Sequence, residues 1–121
     1  MILLDTNILI EILKGDQRTI ERVQTISEEL SISSITVMEL YYGALNKAEL
    51  HKLEKFVSLF HIIQLNESIS KTATTLVKTY LKSHNLDIPD SLIAATTIEN
   101  RCKLFTYNTK DFHYITSLQL L

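Results

Sequence analysis

Short apolar runs alternate with amphipathic segments along the whole of this 121-residue chain. Four runs predict strands, at Ile2–Asp5, Leu30–Ser33, Phe60–Leu65 and Lys103–Thr106, and Ser117–Leu120 is a candidate for a fifth. Strands that alternate with helices pair in parallel through right-handed crossovers. The pattern therefore predicts a single α/β domain over the whole chain, built on a central parallel sheet of four to five strands.

Helical periodicity occupies the segments between these strands. The longest helix is predicted to begin at Asn66, because apolar residues then recur with a period of 3.6: Ile69, Ala73, Leu76, Val77 and Tyr80. Ile8–Leu13 predicts a short helix near the start of the chain. Ser34 is predicted to cap a helix from Ile35 to about Leu45. The apolar positions Ile20, Val23 and Ile26 indicate another helix. Leu50, Leu53 and Val57 indicate one more.

Composition narrows the class of protein. Apolar residues make up 45% of the chain, which favours a compact fold. The single cysteine, Cys102, excludes an internal disulfide and indicates a reducing compartment. No apolar run approaches the roughly 20 residues that span a bilayer, and Asp5 interrupts the one N-terminal apolar stretch. We expect a cytoplasmic protein without a membrane partner.

The charge balance argues against a protein that simply coats nucleic acid. The chain carries 12 basic and 14 acidic side chains, a net charge of −2, whereas such proteins are usually basic. Four of the acids form the candidate site described next. Without them the balance is 12 basic to 10 acidic, so local binding of a nucleic acid remains compatible with the charge.

Asp5 directly follows the apolar run Met1–Leu4 and precedes Thr6 and Asn7. This is where an α/β sheet presents functional side chains, at the carboxyl end of a strand. A charge at the edge of a core is costly unless it has a partner. Considered alone, Asp5 fits an ordinary helix N-cap better than a functional acid, and only the set of four acids reverses that preference.

Three more acids recur in comparable places. Glu39 shares its helical face with Ile35 and Tyr42, which is unusual for a solvated glutamate. One more helix is predicted to start at Asp87–Asp90, where Asp87 fits the N-cap and Asp90 fits both a first-turn acid and a site acid. Asp111 follows strand four in a polar stretch, where a loop acid needs no special role.

Several carboxylates at one sheet edge repel one another, and a hard divalent cation relieves that repulsion. An all-oxygen set without His or Cys suits Mg²⁺ or Mn²⁺. Such a site serves phosphodiester hydrolysis, because the metal activates water and offsets charge on the phosphate. The four histidines show no paired ligand spacing.

Four segments together resemble the PIN-domain ribonucleases, and most closely the VapC-type toxins of toxin–antitoxin pairs. They are Leu3–Asn7, Ile32–Gly43, Asp90–Ala95 and Thr106–Phe112. The match that they define extends over essentially the whole chain, with the segments in the right order. The resemblance implies a three-layer α/β/α fold and Mg²⁺- or Mn²⁺-dependent endonucleolytic cleavage of RNA. It also implies a homodimer and a cognate antitoxin that inserts an amphipathic segment beside the acids.

The same resemblance implies roles for individual residues. The catalytic and metal-binding acids would be Asp5, Glu39, Asp90 and Asp111. The supporting residues would be Thr6, Asn7, Ser91 and Asn108. The chain departs from the family at position 108, where many members carry an aspartate and this chain has an asparagine. Two assignments of the fourth position follow: Asp111 supplies the fourth charge, or Asn108 fills the position and holds a water or the metal more weakly.

Three other classes compete with a nuclease toxin. A receiver domain would need an acceptor aspartate after strand three, where Gln64–Asn66 offers none. A haloacid-dehalogenase-type phosphatase would need a second aspartate at position 7, which is Asn7. The runner-up is a catalytically inactive PIN-like module that binds RNA or protein. The four retained acids favour the enzyme over that module.

Overall fold

Five parallel strands form the central sheet in the computed structural model, which describes residues 1–121. They are β1 (Ile2–Leu4), β2 (Leu30–Ser33), β3 (His61–Ile63), β4 (Lys103–Phe105) and β5 (Gln119–Leu120). Their order across the sheet is β3-β2-β1-β4-β5. Every neighbouring pair is parallel, with Ile2 opposite Leu30 on one side and opposite Lys103 on the other. The predicted parallel sheet is confirmed, although most strands are shorter than the apolar runs suggested.

Six helices connect the strands. They are α1 (Thr6–Leu13), α2 (Gln17–Gln24), α3 (Ser34–Tyr42), α4 (Lys47–Val57), α5 (Glu67–His84) and α6 (Ile88–Glu99). Each begins at a polar N-cap whose side chain accepts a backbone N–H of the first turn: Asp5, Asp16, Ser33, Asn46, Asn66 and Asp87. Gly15, at φ +80°, separates α1 from α2. None of the helices is both long and apolar enough to cross a membrane.

Helix α3 differs from its sequence prediction at both ends. Its N-cap is Ser33, whose hydroxyl accepts the Ile35 N–H at 3.1 Å, and not Ser34. Ser33 still has extended backbone angles, whereas Ser34 is already the first helical residue and is buried. The helix ends at Tyr42, with Gly43 as its C-cap, and Asn46 is already the extended N-cap of α4.

Apolar side chains cover both faces of the sheet and define three layers. Alternate residues of β1 point to opposite faces, with Leu3 on one side and Ile2 and Leu4 on the other. The α5–α6 layer packs on the first face: Ile69, Ala73, Leu76, Leu86, Ile93, Ala94 and Ala95. The α1, α3 and α4 helices pack on the second face: Ile8, Leu9, Leu40, Leu53 and Val57. This is the predicted α/β/α arrangement.

The strand order determines which loops meet. Strand β1 lies between β2 and β4, so the carboxyl ends of these three strands are adjacent at one edge of the sheet. Asp5 follows β1, α3 follows β2, and Thr106 follows β4. The α3 and α6 helices also contact each other, which brings the start of α6 to the same edge.

Candidate active site

Asp5 is the buried centre of the site. Its side chain is 4% exposed and accepts three hydrogen bonds. Oδ1 accepts the Thr6 backbone N–H at 2.8 Å, which makes Asp5 the N-cap of α1. Oδ2 accepts the Asn7 amide at 3.1 Å and the Thr106 hydroxyl at 2.8 Å. Asp5 is therefore the N-cap of α1, and its position at the sheet edge is also compatible with the predicted role as a site acid.

Burial and hydrogen bonding shift the pKa of the Asp5 carboxyl in opposite directions. Removal from water raises the pKa of its carboxyl above the ordinary value, and the bonds from Thr106, Thr6 and Asn7 lower the pKa in part. The negative charge of Asp111 raises the pKa further. The net pKa is raised, so the site holds this carboxylate at a cost that a bound cation would relieve.

Thr106 joins β1 to the loop after β4. Its hydroxyl donates to Asp5 and accepts from the Asn7 amide at 3.2 Å and from the Asn108 backbone N–H at 3.0 Å. The side-chain oxygen Oδ1 of Asn7 accepts the Tyr107 backbone N–H at 3.1 Å. The predicted supporting residue Asn7 therefore donates to both Asp5 and Thr106, whereas sequence reasoning missed Thr106. The one signal available in the sequence was its position at the end of the predicted fourth strand.

Two threonines orient Glu39, which lies exposed on α3. The Thr6 hydroxyl donates to Glu39 Oε1 at 2.7 Å. That hydroxyl is also 2.9 Å from the Thr36 hydroxyl, which must then donate to it. Thr36 is fully buried and lies one turn before Glu39. The predicted supporting residue Thr6 therefore contacts Glu39 directly, and Thr36, which the sequence pattern did not indicate, contacts Thr6.

Asp90 lies half-buried in the first turn of α6 and has the most perturbed carboxyl group. Loss of hydration raises its pKa to about 7, and the charges of Asp87, Asp5, Asp111 and Glu39 add to this effect in that order. Asp87 is the N-cap and accepts the Asp90 N–H at 2.8 Å. No protein group donates a hydrogen bond to the Asp90 carboxylate.

Three of the four predicted acids line one cavity of about 210 Å³. Its lining residues are Asp5, Thr6, Asn7, Ile10, Glu39, Asp90 and Asn108. The fourth acid, Asp111, lies outside this cavity, at the end of a single 3₁₀ turn, Thr109–Asp111. It lines a neighbouring cavity that also contains Asp90. Position 108 therefore belongs to the acid cavity directly, while Asp111 acts on Asp5 and Asp90 through its charge.

Ser91 does not support the acids in the predicted way. Its side chain is 1% exposed, and its hydroxyl donates to the Ile88 carbonyl oxygen at 2.6 Å. That bond lies within the first turn of α6 and leads away from the site. Ser91 instead lines a separate cavity between α5 and α6. The first-turn position of Ser91 explains the difference, because a serine there can reach a backbone carbonyl of its own helix.

The donor set fits a hard divalent cation. The acid cavity contains carboxylate, hydroxyl and amide oxygens, and no lysine, arginine or histidine lines it. No three of the acidic side chains lie close enough together to hold an ion directly in this structure. Mg²⁺ keeps several of its waters and binds through one or two carboxylates, so it does not require a closed cage of protein ligands. The raised pKa values of Asp5 and Asp90 are what uncompensated carboxylates would show.

Comparison with known proteins gives a consistent result. A model of the PIN domain matches residues 2–117. Ribonuclease VapC19 of Mycobacterium tuberculosis is 32% identical over 123 residues, covering 98% of this chain and 98% of its own length. Ribonuclease VapC1 of Haemophilus influenzae is 32% identical over 128 residues, covering 97% and 93%. The crystal structure of VapBC2 from Rickettsia felis bound to a promoter DNA fragment aligns with a TM-score of 0.85 and 30% identity, covering 100% of this chain and 98% of that one.

Proposed function

This chain belongs to the PIN-domain family, among the VapC ribonucleases, and we propose that it is a Mg²⁺- or Mn²⁺-dependent endoribonuclease toxin. The observation that carries the proposal is the cavity in which Asp5, Glu39 and Asp90 meet without a basic side chain. An RNA-binding module without catalysis would have no need to keep three mutually repelling carboxylates at one sheet edge. The expected location of the enzyme is the cytoplasm.

Each residue of the acid cavity would have a distinct role. Asp5, Glu39 and Asp90 would hold the ion between them, in part through its waters, and would face it as unprotonated carboxylates. Asn7 and Thr106 would hold the Asp5 carboxylate in one orientation, and Thr6 would do the same for Glu39. A bound Mg²⁺ would supply an activated water and would offset charge on the phosphate. No histidine lines the cavity, so the proposed chemistry uses no imidazole base.

The decisive experiment is cleavage of a single-stranded or loop RNA with and without divalent metal. We expect cleavage with Mg²⁺ or Mn²⁺, loss of cleavage in excess EDTA, and recovery when metal is restored. The products should carry a 5′-phosphate and a 3′-hydroxyl. Undiminished cleavage in EDTA, or a cyclic 2′,3′-phosphate product, would contradict the metal mechanism. RNA binding without any cleavage would favour the inactive module.

The fourth acidic role can be tested at positions 108 and 111. We expect Asp111→Asn to weaken Mn²⁺ affinity and cleavage together by roughly tenfold, as the loss of an outer partner of a metal site usually does. Asn108→Asp should tighten Mn²⁺ binding, because it places a full charge where the amide contributes only a dipole. Calorimetric titration of Mn²⁺ into each variant measures both effects.

Lys110→Gln is a matched control beside these positions, since it changes charge in the same exposed turn without altering an acid. An inert Asp111→Asn together with a damaging Asn108→Ala would transfer the fourth role to Asn108. That result would leave the other three assignments unchanged.

The proposed partners are an RNA substrate, an antitoxin and a second copy of the chain. The aligned structure from R. felis is a VapBC complex, which supports the antitoxin. Exposed apolar side chains near the end of α3 support a further protein interface: Met38 is 55% exposed, Tyr42 84% and Leu45 86%. Tyr41, by contrast, packs against the core on the second face of the sheet. The two tyrosines therefore differ, and only Tyr42 is available to a partner.

We expect the free protein to be a homodimer at micromolar concentration. Light scattering should give close to twice the chain mass of 13.9 kDa. Tyr42→Asp should shift the mass towards the monomer if the α3 surface is the interface, because a charge there would lose water on association. Leu81→Asp on α5 is the matched control. A clean monomer for the wild type would contradict the homodimer.

A further inference from the structure

A second cavity of about 230 Å³ adjoins the acid cavity. The two share Asp90. The residues that line the second cavity are His84, Asn85, Leu86, Asp87, Asp90, Asp111 and Tyr114. It lies between the end of α5, the start of α6 and the segment after the 3₁₀ turn. A nucleotide next to a phosphate at the acids would therefore be within reach of this second cavity.

An ordered aromatic pair forms one side of this second cavity. The rings of His84 and Tyr114 stack almost parallel, with centroids 3.9 Å apart and planes 9° apart. Tyr80 packs edge-on against both rings, at 5.1 Å from Tyr114 and 6.1 Å from His84. The Ser83 hydroxyl lies 2.8 Å from Nδ1 of His84. His84 is thus an exposed side chain held in a fixed orientation, as a flat binding surface requires.

The charges around the cavity restrict the kind of ligand. Three carboxylates line it, those of Asp87, Asp90 and Asp111, and no lysine or arginine does. A phosphate would be repelled there. A nucleobase is uncharged, presents a flat π surface, and carries N–H groups that can donate to carboxylate oxygens. Asp111 is exposed and makes no ion pair or side-chain hydrogen bond, so its oxygens are free to accept.

We propose that this second cavity binds an unpaired nucleobase of the RNA, next to the phosphate that is cleaved, by stacking it against the His84–Tyr114 pair. The inference rests on the proposed ribonuclease function and adds a binding position to it. Stacking on aromatic side chains is the usual way in which proteins hold splayed RNA bases. Bases with an amino group on the pairing edge, namely adenine, cytosine and guanine, should be preferred over uracil. Asp87 and Asp111 can only accept hydrogen bonds, and the single N–H on the pairing edge of uracil lies between two carbonyl oxygens that carboxylates repel.

The experiment uses single-stranded oligoribonucleotides that carry 2-aminopurine at successive positions. Its fluorescence falls when the base stacks. Wild-type protein in excess EDTA binds without cleaving, and we expect quenching at one position of the oligonucleotide. His84→Ala should abolish most of that quenching and raise Kd about fivefold or more, the usual cost of losing one stacking side chain. His84→Phe should retain both, and His51→Ala, an exposed histidine on α4, is the control.

The outcomes separate the two proposals. Equal quenching and equal Kd for wild type and His84→Ala would overturn the base-binding cavity and leave the ribonuclease function intact. No RNA binding by any variant, together with no metal-dependent cleavage, would overturn both. Loss of quenching in His84→Phe as well as in His84→Ala would also overturn the stacking role. Melting curves check that each variant is folded; loss of the stack with Tyr114 should lower the melting temperature of His84→Ala by a few degrees, and His84→Phe should restore it.

Discussion

Replacing Asp5 with asparagine should reduce RNA cleavage by roughly 100-fold or more. The variant loses the buried charge that would face the metal, and a metal contributes several kcal/mol of transition-state stabilisation. The fold should survive. Asparagine keeps an oxygen that can accept the Thr6 N–H, and removal of a carboxyl whose pKa is raised by burial offsets the weakened bonds to Thr106 and Asn7.

The measurement is the initial rate of RNA cleavage at saturating Mn²⁺, with a melting curve for each protein. Glu67→Gln is the matched control, because it also removes one carboxylate, an exposed one that pairs only with Lys71 at 3.0 Å. We expect the control to cleave at the wild-type rate. An Asp5→Asn protein that cleaves as fast as the control would refute the metal-ligand assignment of Asp5.

In the absence of metal, Asp90→Asn should be more stable than the wild type. The folded protein raises the pKa of Asp90 to about 7, so the native state binds this proton more tightly than the unfolded chain does. The stability that this group contributes is therefore present below about pH 4 and is lost as the pH rises through about 7. Above pH 7 the folded wild type carries the repelling charge, and the asparagine variant does not.

The expected gain above pH 7 is on the order of 1 kcal/mol, because solvent screens a half-buried carboxylate. This corresponds to roughly 3–5 °C in melting temperature. The cap of α6 should survive, since Asp87 and not Asp90 supplies it. Melting curves in EDTA from pH 4 to pH 8 should therefore diverge as the pH rises.

Addition of Mg²⁺ should reverse the difference between the two proteins. A ligand that binds only the native state raises its stability, so the wild type should gain more than Asp90→Asn. Glu54→Gln, an exposed acid on α4, is the control for the general effect of the salt. Equal Mg²⁺ responses of wild type and Asp90→Asn would mean that Asp90 is only a first-turn acid of α6.

The sequence by itself determined the layers and the candidate acids. Alternation of short apolar runs with 3.6-residue periods leaves a parallel sheet covered on both faces as the simplest way to bury the apolar side chains. A carboxylate such as Asp5, placed where a strand ends, must lie at the sheet edge whatever the order of the strands. Local chemistry likewise located the caps Asn66 and Asp87, because an N-cap depends on residues within one helical turn.

Tertiary structure alone decided which side chains meet. The order β3-β2-β1-β4-β5 places Thr106 against Asp5, although 101 positions separate them in the chain. It also places Asn108 in the acid cavity and Asp111 in the neighbouring one. Neither result could be read from local patterns, because a strand's neighbours depend on packing between distant segments. The His84–Tyr114 stack could not be predicted for the same reason. Its two residues come together only because α5 and the C-terminal segment pack against each other.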